Sequence, residues 1–334
     1  MDVASRQRLW GYDHALDSSF VRGFLMGLAV LLVVVPLSLW LLQTLGKLNP
    51  ERRCELWARY RSWLVFIPLI VGPVLLGAAW TIAAVALLSL FCYREFARAT
   101  GMFRQPAVSS LVVLGILVLT FAIADHWYGL FVAITPLMIA VIAAVGICSD
   151  QPKGYIQRVA LGIFAFLLFG VCFGHLAYFA NDTYFRQMLL WLILCVELND
   201  VFAYLVGKTL GRKKLAPNTS PNKTVAGAVG ALVLTTILAA GLGAIVFADT
   251  RVNSPLKLLT LGLIVSVSGQ LGDLTLSSIK RDLGIKDWAA TFPGHGGLLD
   301  RFNSLLFAAP AVFHYVGYLQ GIGLNQVSRI ITGG

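Results

Sequence analysis

Ten long apolar runs, separated by short polar loops, limit this chain's fold more than any other feature. They fall at 21–45, 63–77, 78–93, 108–124, 128–147, 157–180, 186–206, 224–248, 257–278 and 303–320. About 20 helical residues cross the hydrocarbon core of a bilayer. Inside that core every backbone N–H and C=O must be satisfied by the protein itself. Runs without two-residue alternation do this as α-helices rather than as barrel strands. Charged residues make up only 13% of the chain, against about 25% in soluble domains. The expected fold class is therefore an all-α polytopic membrane protein with about ten transmembrane helices and no separate soluble domain.

The run over 63–93 is long for one span and tight for two. Gly72-Pro73 and Gly77 near its middle favour a hairpin. With ten spans, the loops 46–62, 94–107, 148–158, 207–223 and 279–302 share one face and carry 19 of the 26 Lys and Arg. Cationic loops stay cytoplasmic, which places both termini outside. A single span over 63–93 would put basic loops on both faces. The net charge of +10 thus reads as membrane orientation, and no nucleic acid is expected as a partner. Basic loops would also attract anionic headgroups and nucleotide phosphates. The five cysteines show no CxxC spacing and most lie in or beside apolar runs, as small packing residues do. The first 20 residues contain no apolar core, so no cleavable signal peptide is expected there.

Intramembrane charge is costly and marks function by default. Three acids lie well inside the predicted spans: Glu197, Asp200 and Asp273. Asp200 precedes the end of its span at Gly207 by seven residues, and Asp273 precedes Lys280 by seven. Each carboxylate would sit roughly 10 Å below the same surface, a spacing that suits a shared divalent cation. Glu197, Asp200 and Tyr204 share one helix face; Asp273, Ser277, Lys280 and Arg281 share another. The competing reading is a structural ion pair, against which stands the lack of a Lys or Arg at similar depth. For Glu197 a structural hydrogen bond competes evenly with a ligand role. His175 and His314 read as packing residues. Trp and Tyr near span ends read as interfacial belts.

Two polar loops border these spans. Gly207-Lys208-Thr209 imitates the end of a P-loop, but position 202 is Phe202 and a membrane span precedes it, so a P-loop is rejected. Ser220-Pro221 reads as a helix start with Ser220 as N-cap and Pro221 at the first helical position. That helix would aim its amide end at the loop face, where phosphate binds well. The second loop, 277–303, packs four cations, three carboxylates, His295 and the Gly296-Gly297 pair between two apolar segments.

Residues 277–303 resemble the motif of the phosphatidate cytidylyltransferase (CDP-diacylglycerol synthase) family. That motif runs Ser-x-apolar-Lys-Arg, four residues, Lys-Asp, then Pro-x-His-Gly-Gly-apolar-x-Asp-Arg-apolar-Asp. Ser277, Lys280, Arg281, Lys286, Asp287, Pro293, His295, Gly296, Gly297, Asp300 and Arg301 match in register. Upstream, Asn199-Asp200-Val201-Phe202-Ala203-Tyr204, Gly207-Lys208, Lys214-Leu215, Ser220-Pro221-Asn222-Lys223-Thr224 and Gly272-Asp273 also look like the family's. The first 150 residues match only in being hydrophobic. One position departs: the motif ends in Asp where this chain has Asn303. Asn keeps the size and a carbonyl ligand but loses the charge, which fits a handicapped site or a divergent bacterial paralogue with another lipid acceptor.

The resemblance implies an integral-membrane enzyme that joins CTP and phosphatidic acid into CDP-diacylglycerol and pyrophosphate, in phospholipid biosynthesis. It implies Asp200 and Asp273 as Mg²⁺ ligands, with room for a second cation and with Asp287 and Asp300 behind them. Lys280, Arg281, Lys286 and Arg301 would hold phosphates. Ser220, Lys223 and Thr224 would complete the clamp, and His295, Gly296 and Gly297 would let the backbone approach a phosphate. Asp300 as a helix cap and His295 as a loop-ordering residue are the bland alternatives. The acceptor phosphomonoester is already anionic and needs no general base; the task is electrostatic. The expected organisation is an extracytoplasmic segment (1–20), transmembrane helices (21–180) and a transmembrane catalytic half (181–334). The setting would be the bacterial inner membrane, with cytoplasmic active-site loops and membrane lipids as partners. The oligomeric state, a homodimer included, stays open. Two rivals predict different chemistry. A polyprenol-type lipid kinase would yield CDP and a lipid phosphate, and an ion-coupled transporter would move substrate without CTP turnover.

Overall fold

A computed structural model of the chain describes residues 3–148, 150–289 and 296–333. A short helix α1 (Val3–Trp10) precedes the long helices α2 (Ser19–Thr44), α3 (Pro50–Leu76), α4 (Ala78–Thr100), α5 (Pro106–Ala124) and α6 (Tyr128–Ile147). Next comes one continuous span: α7 (Tyr155–Ala165), a π-helical stretch (Phe166–Cys172), α8 (Phe173–Tyr178) and a 3₁₀ turn (Phe179–Asn181). Helix α9 (Phe185–Leu210) leads into a hairpin of β1 (Lys214–Ala216) and β2 (Ser220–Thr224), followed by α10 (Val225–Val246), α11 (Pro255–Asp282) and α12 (Leu299–Gln320). Among the described residues, nine helical segments are long and apolar enough to cross a membrane. The chain is a multi-pass integral membrane protein. Helix α12 is a tenth long helix, about 33 Å by its 22 residues. It is less apolar because it carries Asp300, Arg301, Asn303, Ser304 and His314, and it packs against α8, α9 and α11.

The 63–93 run does divide. Helix α3 ends at Leu76 and α4 begins at Ala78, with Gly77 between them at φ 132°. A Cβ at Gly77 would lie 2.5 Å from the Leu9 carbonyl oxygen, so glycine is required by conformation and by contact. The predicted start of this span at residue 63 is too late. Helix α3 is already formed from Pro50, whose fixed φ suits a first helical position.

The expected helix start at Ser220-Pro221 is wrong. Ser220–Thr224 is a strand, antiparallel to β1, pairing Lys214 with Thr224 and Ala216 with Ser220. Helix α10 starts at Val225, and Thr224 caps it by accepting the Gly227 N–H at 3.1 Å. The ladder satisfies backbone groups that a helix start at 220 would have left to solvent. Thr, like Ser, is a favoured N-cap residue.

Four helices approach closely around the C-terminal half. At Gly227, a Cβ would meet the Ala203 carbonyl at 2.5 Å, so α10 lies almost backbone to backbone on α9. At Gly272, a Cβ would meet the Asn303 carbonyl at 2.7 Å, which brings α11 equally near α12. Small residues at such crossings let polar side chains on neighbouring helices meet.

Candidate active site

Asp200 lies ten residues before the end of α9 and Asp273 nine before the end of α11. Their depths are therefore about 15 and 14 Å, matched but deeper than the loop boundaries implied, because both helices outrun them. The two carboxylates are close enough to interact electrostatically, and Lys223 acts on the same pair. Lys223, reaching down from β2, forms an ion pair with Asp273 Oδ2. No cation was expected at this depth; the long Lys stem supplies one from the loop. Asn303 Nδ2 donates to Asp273 Oδ1 at 2.5 Å. Ser304 Oγ donates to Asp200 Oδ2 at 2.8 Å, while the Ser304 N–H donates to Asn303 Oδ1 at 2.8 Å. Adjacent residues of α12 thus hold the two acids of α9 and α11.

Asn303 therefore has a definite job. Its amide offers Asp273 a donor, which a carboxylate at the same position would not. An Asp here would instead place a further anion against Asp273.

Below the acids lies a polar layer that sequence reading passed over. Asn199 is fully buried and its Oδ1 accepts from Ser266 Oγ at 2.6 Å and Thr235 Oγ1 at 3.1 Å. Gln270 Nε2 donates to Ser266 Oγ at 3.1 Å and to the Ala228 carbonyl at 3.2 Å. This layer ties α9, α10 and α11 together directly beneath Asp200. The signal for it was available: Ser266, Ser268 and Gln270 recur along one apolar run.

A second cluster organises the motif loop. Lys280 Nζ pairs with Asp300 Oδ1 at 2.7 Å, and both side chains are largely buried. Asp300 Oδ2 accepts the N–H groups of Trp288 and Gly297, each at 3.0 Å. Gly296 sits at φ 75° beside Asp300 and Asp287. Glu95, on α4, accepts the N–H groups of Leu298 and Leu299, both at 2.9 Å, at the start of α12. Trp288 packs on Phe96 of the same helix, ring centroids 5.5 Å apart. Glu95 was not singled out from the sequence. Its hint was a lone carboxylate between Arg94 and Arg98 at a span end.

Of the remaining expected residues, Arg281, Lys286, Asp287 and Arg301 are exposed. Arg281 Nε donates to the Thr219 carbonyl at 3.2 Å, linking α11 to the hairpin turn. Arg301 interacts with Glu197, and both are exposed. Lys286 and Asp287 are exposed, and Ser220 is part-buried on β2. Thr224 is buried and occupied in capping α10. His295 lies outside the described residues. In all, the structure unites Asp200, Asp273 and Lys223 in one cluster and Lys280, Asp300, Gly296 and Gly297 in another, both at the same end of the bundle.

The donor set suits a hard cation. Among the described residues no three His, Cys, Asp or Glu converge. A magnesium site commonly takes one or two carboxylates and completes its shell with water and substrate phosphates. Asp200 and Asp273 would offer two such carboxylates, and they are held by side chains of Lys, Asn and Ser.

Residues 57–319 match the model of the family described as "Cytidylyltransferase family". The Escherichia coli (strain K12) protein named "Uncharacterized protein YnbB" is 31% identical over 277 residues, 80% of this chain and 90% of that protein. A phosphatidate cytidylyltransferase of Staphylococcus haemolyticus is 31% identical over 252 residues, 74% of this chain and 92% of the relative. One from Bacillus subtilis (strain 168) is 39% identical over 162 residues, 48% of this chain and 56% of the relative.

Proposed function

The chain belongs to the cytidylyltransferase family and is a nucleotidyltransferase, and from that premise we propose that it joins CTP to phosphatidic acid. The products would be CDP-diacylglycerol and pyrophosphate. One observation carries the reading: two intramembrane carboxylates from different helices meet Lys223 beneath a cationic rim. That arrangement supports a reaction in which a lipid phosphate oxygen attacks the α-phosphorus of a nucleoside triphosphate. A P–O bond forms there as the bond to the β-phosphate breaks, and pyrophosphate leaves with the electron pair. Both reactants are anions, so charge neutralisation is the main barrier.

Asp200 and Asp273 would hold Mg²⁺, which supplies positive charge to the triphosphate when bound. Lys223 is the residue that exchanges partners: paired with Asp273 in the substrate-free site, it turns to phosphate when substrate enters. Arg281 and Arg301 on the exposed rim bind the anionic groups as they arrive. Lys280 holds Asp300 on the N–H groups of Trp288 and Gly297, and Glu95 fixes the start of α12 so that Asn303 and Ser304 keep their register on the acids. The depth of the acids, roughly 15 Å below the helix ends, suits an acceptor whose acyl chains stay in lipid. With the basic loops cytoplasmic, the site would open to the cytoplasmic side of a bacterial inner membrane.

The test is direct. Purified protein in liposomes, given labelled CTP, phosphatidate and Mg²⁺, should release pyrophosphate and form a CDP-lipid. Release of CDP with a phosphorylated lipid would replace this reading with a kinase. Absence of CTP turnover across several lipid phosphates and metals would remove it.

A further inference from the structure

We propose that a groove at the opposite end of the bundle binds one anionic membrane lipid, its headgroup at Arg329 and its acyl part along α12. The groove encloses about 920 Å³ and lies between the start of α6, the end of α12 and the segment 321–333. Its apolar wall is an aromatic set: Tyr128, Tyr178 and Phe313 meet at centroid distances of 5.5–6.4 Å. Such a volume matches a ligand site rather than a packing defect.

The outer wall is a strap fastened to the bundle by hydrogen bonds. Ile331 N–H and Thr332 N–H donate to Asp125 Oδ1, at 2.6 and 3.1 Å. Thr332 Oγ1 donates to Asp125 Oδ2 at 2.6 Å. Gly323 N–H donates to Asp182 Oδ2 at 3.1 Å, and His126 Nδ1 donates to the Val327 carbonyl at 3.1 Å. Plain belt residues at a membrane boundary need no such strap.

Three further observations point to a ligand. His126 and Arg329 both line the groove and both hold the left-handed backbone conformation, at φ 53° and 54°. Strain of this kind concentrates at binding sites. The Tyr178 hydroxyl and Gln326 Oε1, on two lining residues, are buried and find no hydrogen-bond partner among the described residues. Charge then fixes the class. Among the described lining residues Arg329 carries the one permanent charge, and no Asp or Glu lines the groove. Asp125 and Asp182 lie outside the lining and accept the strap's N–H groups. Asp125 also acts on the Arg329 charge, and Arg329 Nε donates to Thr332 Oγ1 at 3.2 Å, which leaves the other guanidinium nitrogens to meet a ligand. Arg329 stacks on Trp127, 4.7 Å from the ring centroid, which holds the cation at the groove. The rim residues Tyr318 and Leu324 are 89% and 79% exposed, an apolar approach suited to acyl chains. An anion with an apolar body fits these walls; a phosphodiester or carboxylate head would satisfy Arg329 equally.

Delipidated full-length protein in detergent provides the test, read as thermal unfolding with added lipid. Dioleoyl-phosphatidylglycerol should raise Tm by several degrees more than dioleoyl-phosphatidylcholine. Arg329→Gln should abolish that difference. Gly317→Leu should do so as well without changing charge, because a Cβ at Gly317 meets only Ile322, at 4.0 Å. An equal shift with oleate would support the proposal and assign the head to any single anion. Stabilisation by soluble glycerol 3-phosphate alone would overturn it in favour of a free-anion site. Full retention of the phosphatidylglycerol preference in both variants would overturn it too, since the lipid would then act on the basic face.

Discussion

Two pairs of acids, one buried and one half-buried, stand at opposite ends of this bundle, and they are held differently. Asp125 and Asp182 accept mainly main-chain N–H groups, of Ile331 and Thr332 in one case and of Tyr184 and Gly323 in the other. Among the described residues, Asp200 and Asp273 accept from side chains, those of Ser304, Asn303 and Lys223. Main-chain donors cannot leave without unfolding the segment that carries them. Lys, Asn and Ser side chains can turn to another rotamer with the backbone left in place. The first arrangement is a fastening, and the second is a site that can change partners. By this criterion Asp300 and Glu95, although they lie at the same end as Asp200 and Asp273, belong with the fastenings, because each accepts two main-chain N–H groups.

The comparison breaks most visibly at Asp273. Asp273→Asn should lower CDP-lipid formation by on the order of a hundredfold or more while leaving Tm within a few degrees. Near-normal turnover would dissolve the distinction. Asp125→Ala should do the reverse: a stability loss of about 3 kcal/mol from orphaned donors, read by chemical or thermal unfolding, with turnover spared. Glu95→Gln sharpens the boundary between the classes. Gln can accept only one of the two N–H groups, so we expect turnover to fall about tenfold together with Tm. A drop in turnover with an unchanged Tm would place Glu95 in the reacting machinery instead.

The smallest effect concerns pH. Burial, reinforced by the Arg8 charge, holds the His126 imidazole below its ordinary value of 6.5, against opposing pulls from the Val327 carbonyl and Asp125. The folded state thus binds its proton less readily than the unfolded chain. Stability from this residue is complete above pH 6.5 and is lost as pH falls toward the folded value. Thermal unfolding of the wild type should decline over that window, and His126→Asn should flatten the decline. An identical decline in the variant would clear His126.

Much of this was legible in the sequence. Apolar runs announced the helices because lipid leaves the backbone no alternative, and Gly77 announced the break in 63–93. Asp200 and Asp273 stood out because a charge in lipid needs a reason. What stayed hidden depended on contacts across the chain. Glu95 meets Leu298 and Leu299 some two hundred residues away, and no spacing rule encodes that meeting. Lys223 could not be placed at the depth of Asp273 because a flexible side chain, rather than a helix register, carries it there. The Ser220-Pro221 misreading came from a local rule that was sound in isolation; a short ladder between Lys214 and Thr224 outweighed it.

Helix α12 has a consequence for how the protein is made. Translocation machinery sorts each segment by its own affinity for lipid, and α12, with Asp300, Arg301, Asn303 and His314 along it, is poorly suited to partition alone. Its partners α8, α9 and α11 all precede it in the chain. They are synthesised first, so α12 emerges to a groove already lined with acceptors for its polar groups. Entry into the bilayer and completion of the candidate site are then one event: the helix that needs the others most for insertion also supplies hydrogen-bond donors to Asp200 and Asp273.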